Sequence, residues 1–257
     1  MTRAKGAPIL VLADLHGHLD LFERAVARGR ELAGREDVTV VTLGDYCDNG
    51  PDVPGLLERL VGFGDEHPGR FLPLLGNHDL ACLLTLGWPA GGGDAFWWRR
   101  WRERYPNGLS QWTPTQYGAR TLDELQRCLP PAHRAFLSDL PWARRVGGYV
   151  FVHAGLAPGA IGPQLEELAR RDMRPYAPGH QPPALRDKAR AQISDPGWEA
   201  VVVSGHTKLA DRRDFLGSRR LTLHAGTCRG EALHAALLPP RPAVEGPPAA
   251  ERFVVGP

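Results

Sequence analysis

The sequence is short of cysteine, of long apolar runs and of net charge, and each shortage argues against a class of protein. Its four cysteines, Cys47, Cys82, Cys128 and Cys228, are scattered through 257 residues with no CxxC pair. That spacing speaks against a disulfide framework or a zinc ribbon and suits reduced thiols. No stretch approaches the ~20 consecutive apolar residues that span a bilayer. The net charge of +2 offers no electrostatic footprint for nucleic acid or a membrane surface, so neither is expected as a partner. Arg3 and Lys5 precede an apolar run, but it stops at Asp14 with no small-residue cleavage site, and the expected location is the cytoplasm. There is no internal repeat to suggest a solenoid.

What is present is the composition of a soluble globular chain, 42% hydrophobic and 23% charged, long enough for one large domain. "PILVLADLHGH" (Pro8 to His18) reads as a buried strand running into a turn. "DLFERAVARGRELAG" reads as a helix with Asp20 as its N-cap, Leu21, Phe22, Ala25 and Val26 on one face, and Gly34 as its stop. "VTVVTLGDYCDNG" and "RFLPLLGNHD" are further strands running into loops, separated by the helical "GLLERLVGFG". Strand and helix alternating in this way predict βαβ units in a mixed sheet. Between about residues 82 and 131 the strand pattern lapses, and "FWWRRWRERY" (Phe96 to Tyr105) marks this segment as a Trp/Arg-rich insertion. Strands resume at "YVFVHAG", "AVVVSGHT", "RLTLHAG" and "ALHAALL". A single domain over residues 1–238 is expected, with 239–257 as a loose proline-rich tail.

Five of the apolar strands end on polar residues suited to binding metal. They supply Asp14 and His16; Asp45 and Asp48; Asn77, His78 and Asp79; His153; and His206. In α/β sheets ligands gather beyond the carboxyl ends of strands, so these side chains can converge on one cleft. Any one of them could simply cap a strand, but five strand ends in one chain make that reading the weaker. Carboxylate, imidazole and carboxamide oxygen together suit Mn²⁺, Fe²⁺ or Zn²⁺ and suit Ca²⁺ poorly. Asp14-x-His16 can place two side chains on one ion, and Asp45 can bridge two. Two cations ~3.5–4 Å apart bind a phosphate, acidify a bridging water and stabilise an in-line displacement.

The motifs "ADLHG", "GDYCDNG", "GNHD", "VHAG" and "SGHT" resemble, in order, those of the calcineurin-like metallophosphoesterases. They look most like the phosphoprotein-phosphatase branch, and within it the Rhizobiales-like phosphatases associated with phosphotyrosine. The resemblance implies a four-layer α/β fold, two mixed β-sheets packed as a sandwich with helices on both outer faces. It implies two divalent ions, manganese first with iron or zinc as alternatives. Asp14, His16 and Asp45 would hold one ion, and Asp45, Asn77, His153 and His206 the other. It implies that His78 protonates the leaving oxygen, that Asp48 orients its imidazole, and that a metal-bridging hydroxide attacks. The substrate implied is a phosphorylated protein or peptide. The alternatives are a nucleotide hydrolase, such as a dinucleoside polyphosphatase, or a binding protein with a degenerate site.

Three positions depart from the family pattern. Ala13 replaces a glycine, and Lys208 stands where wider metallophosphoesterases carry a second histidine. Asn49 replaces an arginine that grips the substrate phosphate, and asparagine cannot reproduce that bidentate clamp. Arg186 sits roughly where relatives carry a second phosphate-binding arginine, so Asn49 and Arg186 are the candidate substrate contacts. In the insertion, Trp97, Trp98 and Trp101 with Arg99, Arg100, Arg102 and Arg104 could form a lid or phosphopeptide groove. A plain helix with packed tryptophans and solvated arginines is the simpler expectation. His18, His67, His133, His180 and His234 read as structural.

Overall fold

The structure is a computed structural model, and it describes residues 6–89, 95–104, 111–240 and 248–257. Ten strands are described: β1 (Ile9–Leu12), β2 (Thr39–Thr42), β3 (Phe71–Pro73), β4 (Ala143–Val146), β5 (Tyr149–Val152), β6 (Val201–Ser204), β7 (Phe215–Gly217), β8 (Arg220–Thr222), β9 (Leu233–Leu238) and β10 (Glu251–Val255). The helices are α1 (Leu19–Ala33), α2 (Val53–Glu66), α3 (Asn77–Thr85), α4 (Ala95–Arg104), α5 (Thr113–Gln116), α6 (Leu122–Cys128), α7 (Pro131–Asp139), α8 (Ile161–Ala169) and α9 (Pro183–Arg186).

The strands form two mixed five-stranded sheets, in the orders β10-β9-β1-β2-β3 and β4-β5-β6-β8-β7, with helices around them. In the first, β1, β2 and β3 run parallel, with Leu10 opposite Val40 and Val41 opposite Leu72. In the second, β5, β6 and β8 run parallel. These inner strands are apolar along their whole length because both faces are covered, and one continuous core joins the two sheets. Parallel neighbours end on the same side, so the carboxyl ends of β1, β2 and β3, and of β5 and β6, deliver their following loops to a common rim.

The helix after β1 shows how sequence sets this spacing. Its buried stripe is Leu21, Phe22, Ala25, Val26 and Gly29. A Cβ at Gly29 would lie 2.6 Å from the Leu10 side chain, so only glycine lets α1 come this close to β1. Gly34 ends the helix in the left-handed conformation at φ 61°. Asp20 is not the N-cap: α1 begins one residue earlier, with His18 in the cap position and Asp20 in the first turn.

The chain end also differs from expectation. Residues 251–255 are not a loose tail but a strand, β10, paired antiparallel with β9 from Glu251↔Leu237 to Val255↔Leu233. No helix among the described residues is long and apolar enough to cross a membrane.

Candidate active site

The loop after β1 carries Asp14 and His16, and the loop after β2 carries Asp45 and Asp48. Helix α3 opens with Asn77 and His78, and His153 and His206 follow β5 and β6 directly. Asp14, His16, Asp45, Asp48, His78 and His153 are all buried. Their side chains fall into two groups. Asp14, His16 and Asp45 bring ligand atoms within 4.8 Å of one another, and so do Asp45, His153 and His206. Asp45 belongs to both. The Asn77 carboxamide oxygen lies 3.1 Å from His153 Nε2 and so joins the second group.

Each imidazole is oriented from behind by a backbone carbonyl. His16 Nδ1 donates to Cys47 O at 2.9 Å and His153 Nδ1 donates to Leu43 O at 2.7 Å. His206 Nε2 donates to Arg186 O at 3.0 Å. These bonds select the tautomer and leave the opposite nitrogen facing the cluster, the arrangement metal-ligating histidines adopt. His16 Nε2 and His153 Nε2 lie 3.7 and 3.4 Å from Asp45 Oδ2.

The backbone is bent to present these groups. His16, Asp45, Asp48, Asn49 and His206 all have φ between 41° and 64°, a region costly for residues other than glycine. Such strain persists only where the surroundings over-determine it. Close approach enforces glycine at two places. A Cβ on Gly50 would sit 1.4 Å from His16 O, and one on Gly76 would sit 2.1 Å from Asp45 N.

The electrostatics fit a pair of cations. Burial lowers the pKa of His16 to about 4 and that of His206 to about 3, so both present neutral nitrogens. Burial, with the Asp45 carboxylate adding to it, raises Asp14 to about 7. Burial alone would lower His153, but the charge and hydrogen bond of Asp45, with Asp14 behind it, raise it to about 9. Crowded buried carboxylates beside the neutral imidazoles of His16 and His206 are a donor set that a divalent ion satisfies, and an ion at the second group would take the place of the proton that Asp45 holds on His153. The residues present therefore fit two ions sharing Asp45.

Beside the cluster, His78 Nδ1 donates to Asp48 Oδ2 at 2.8 Å. Asp48 is itself fixed by Thr113, whose hydroxyl donates to Oδ1 at 2.6 Å and accepts from Asp48 N at 2.8 Å. Thr113, in α5, was invisible in the sequence, because nothing in "QWTPTQYG" marks one threonine as a partner of a carboxylate 65 residues earlier. Arg220 was equally hidden. Fully buried, it donates to Ala154 O and Ser204 Oγ and so ties together the strand ends that carry His153 and His206.

Asp79, read from the sequence as one more metal-type residue at a strand end, does something else. Its Oδ1 accepts from Tyr46 N and Cys47 N, and its Oδ2 from Asp45 N and Gly76 N, all at 2.8–3.0 Å. It clamps the loop that carries Asp45. Burial and the neighbouring Asp45 carboxylate raise its pKa to about 6, while the backbone N–H bonds hold it down. Asp79→Asn turns an amide NH₂ toward two of those N–H donors whichever way the amide faces. We expect a loss of about 2 kcal/mol, the cost of buried donors left without acceptors, read as a melting temperature lowered by roughly 5 °C. An unchanged melting temperature would show that the loop holds without the clamp.

The cluster opens on a cleft of about 380 Å³, also lined by Asn49, Arg186, Lys188 and Lys208. Asn49 donates its backbone N–H to Gln111 O at 2.8 Å. Arg186, the last residue of α9, bonds Gln181 Oε1 at 3.3 Å, and its carbonyl orients His206. In the insertion Trp97 is buried and Trp98 packs on Trp112 with ring centroids 4.9 Å apart. Arg99, Arg100 and Arg102 are exposed. The side chains of Trp101 and Arg104 lie outside the described residues.

A carboxylate shared between two groups of nitrogen and oxygen donors, with a carboxylate-bound histidine alongside, defines a class: the dinuclear metallophosphoesterases. The chain belongs to the calcineurin-like phosphoesterase family, whose model matches residues 7–226. It is 32% identical over 155 residues to a symmetrical bis(5'-nucleosyl)-tetraphosphatase of Acidovorax sp. (strain JS42), covering 57% of this chain and 43% of that protein. It spans about half the length of the curated relatives it matches, all three of which carry that name. Its fold resembles a protein provisionally described as a diadenosine tetraphosphatase, with TM-score 0.55, 19% identity, and 99% and 96% of the two chains covered. A serine/threonine phosphatase of Saccharomyces cerevisiae, with similarity to human phosphatase PP5, superimposes with the same TM-score at 13% identity, covering 99% of this chain and 82% of that one; this is a likeness of fold alone.

These relatives correct one expectation. The phosphorylated protein or peptide substrate inferred from the motifs does not stand, because the curated relatives are named for dinucleoside tetraphosphates. The motifs misled for a physical reason. They specify the machinery that handles the reacting phosphorus, which phosphoesterases share, and not the part of the substrate beyond it.

Proposed function

We propose that this protein hydrolyses dinucleoside polyphosphates, cutting a dinucleoside tetraphosphate into two nucleoside diphosphates. The observation that carries the reading is the cleft beside the ligand set, where Arg186, Lys188 and Lys208 present three cations over a cavity of about 380 Å³. A chain of four phosphates is a flexible polyanion, and separate cations spread along a cleft suit it. The names of the curated relatives support the same reading.

In this proposal Asp14, His16 and Asp45 hold one divalent ion, and Asp45, Asn77, His153 and His206 the other, with manganese favoured over iron or zinc. Bound there, the ions supply Lewis-acid activation of the phosphoryl group and of water. Arg186, Lys188 and Lys208 orient the phosphate chain and neutralise its charge. His78, held at Nδ1 by Asp48, donates a proton from Nε2 to the leaving phosphate oxygen. Water is consumed, one central P–O bond breaks, and each half leaves with two phosphates.

Chromatography of the products from diadenosine tetraphosphate, with added Mn²⁺, tests the proposal. ADP as the only product is expected. AMP with ATP would exclude the symmetrical cut. Turnover of para-nitrophenyl phosphate with none of the dinucleotide would overturn the nucleotide reading.

A further inference from the structure

The cleft does not stop at Arg186. A gap lined by Asn77, His78, Trp97, Arg100, Gln181 and Arg186 shares three of these walls with the cleft, and shares Arg100, Gln181 and Arg186 with a second cavity of about 440 Å³. Arg186 lines the cleft, the gap and the second cavity, and Arg100 lines the last two. The three spaces therefore adjoin one another outward from the candidate metal ligands, with two guanidinium groups on the walls they share.

The walls of the second cavity change in character. Phe96, Pro178 and Pro183 give it apolar surface, His180 and Gln181 give it polar groups, and Asp187 adds one carboxylate to the two arginines. Phe96 is seated from two sides. Its ring edge lies where a Cβ on Gly179 would be, 2.3 Å from the ring atom Cζ, and Gly179 has φ 82°. The neighbouring Trp97 meets it edge to face with centroids 5.7 Å apart. Gln181, itself buried, donates to Asn77 O at 2.8 Å and accepts from Arg186 at 3.3 Å. Through Gln181 this wall is fastened to the backbone of a candidate metal ligand. An aromatic ring, a few polar groups and adjoining arginines, in a pocket of this size, are what a nucleobase with attached phosphates requires.

Resting on the proposed function, we infer that this second cavity is a nucleoside subsite: Phe96 packs against the base, and Arg100 and Arg186 hold the phosphates that link it to the metal centre. The subsite is built from α4, part of the Trp/Arg-rich segment, and from the loop before α9. It gives Arg186, already placed on the phosphate chain, a partner in Arg100, and it takes His180 out of the purely structural set.

Equilibrium binding separates the subsite from the activity. ADP and inorganic tripolyphosphate are titrated into the wild-type protein, Phe96→Ala and Phe96→Tyr. ADP affinity should fall about tenfold or more in Phe96→Ala, survive in Phe96→Tyr, and tripolyphosphate affinity should hold in all three. In parallel, KM for diadenosine tetraphosphate should rise in Phe96→Ala with kcat largely retained. Unchanged ADP affinity in Phe96→Ala, or an equal loss for both ligands, would overturn the subsite and leave Phe96 as scaffold. Hydrolysis of the dinucleotide with no Phe96 effect would sink the subsite while the function stands. Phe96-dependent ADP binding without dinucleotide hydrolysis would do the reverse.

Discussion

Asp45→Asn should nearly abolish hydrolysis and strip the protein of metal, more completely than any other single change at the site. Asp45 is the one residue common to both donor groups. Its Oδ2 lies within 3.7 Å of both His16 Nε2 and His153 Nε2, and its Oδ1 accepts the backbone N–H of His78 at 2.8 Å. Asparagine keeps the shape and one oxygen but removes the charge that lets two cations lie ~3.5–4 Å apart. With Oδ1 kept on His78 N, the new NH₂ would point at the imidazoles. Residues that merely orient metal ligands typically cost 10–100-fold in affinity or activity, so a shared ligand should cost at least about 10³-fold in turnover. Elemental analysis of the purified variant, set beside its turnover, is the check. Two ions retained with wild-type activity would remove Asp45 from the centre.

His78→Asn should leave the metals in place and lower turnover of the dinucleotide by about 10²-fold, the lower end of what lost acid catalysis costs. His78 is held by Asp48 at 2.8 Å, and Asp48 by Thr113, so the imidazole is fixed in one orientation. The size of the effect should follow the leaving group. A phosphate oxygen leaves as a weak base and needs less help than an alkoxide, so a simple alkyl phosphate should suffer more and para-nitrophenyl phosphate less. Equal losses across the three substrates would argue against His78 as the acid and for a role in holding the loop.

Much of the fold could be read directly because its inner strands are buried on both faces. A strand such as "ILVL" or "VVVS" must be apolar throughout, and that signal needs no partner to be recognised. The strands that escaped, β4, β7 and β10, are all sheet edges. β4 reads "ARRV", β7 has three residues, and β10 follows a proline-rich stretch. An edge strand is short or charged on its solvent side, so its pairing is decided by the neighbour that offers a free edge and not by its own pattern. Asp79 and Thr113 escaped for a related reason. A carboxylate that accepts four backbone N–H groups and a threonine that bonds Asp48 look like any aspartate and threonine until the loops that surround them are folded.

The sequence by itself determined the inner strands, the residues at their carboxyl ends and the family those residues belong to. Each of these depends on local chemistry repeated at short spacing. Only the tertiary structure separated Asp79, a clamp, from Asp45, which the sequence already offered as a bridge, because the two carboxylates differ in what surrounds them and not in what they are. It also joined Phe96 and Arg100 to Arg186 across more than 80 positions of chain, around a cavity that adjoins the candidate metal ligands. Substrate size is set by such walls, assembled from segments with no spacing in common.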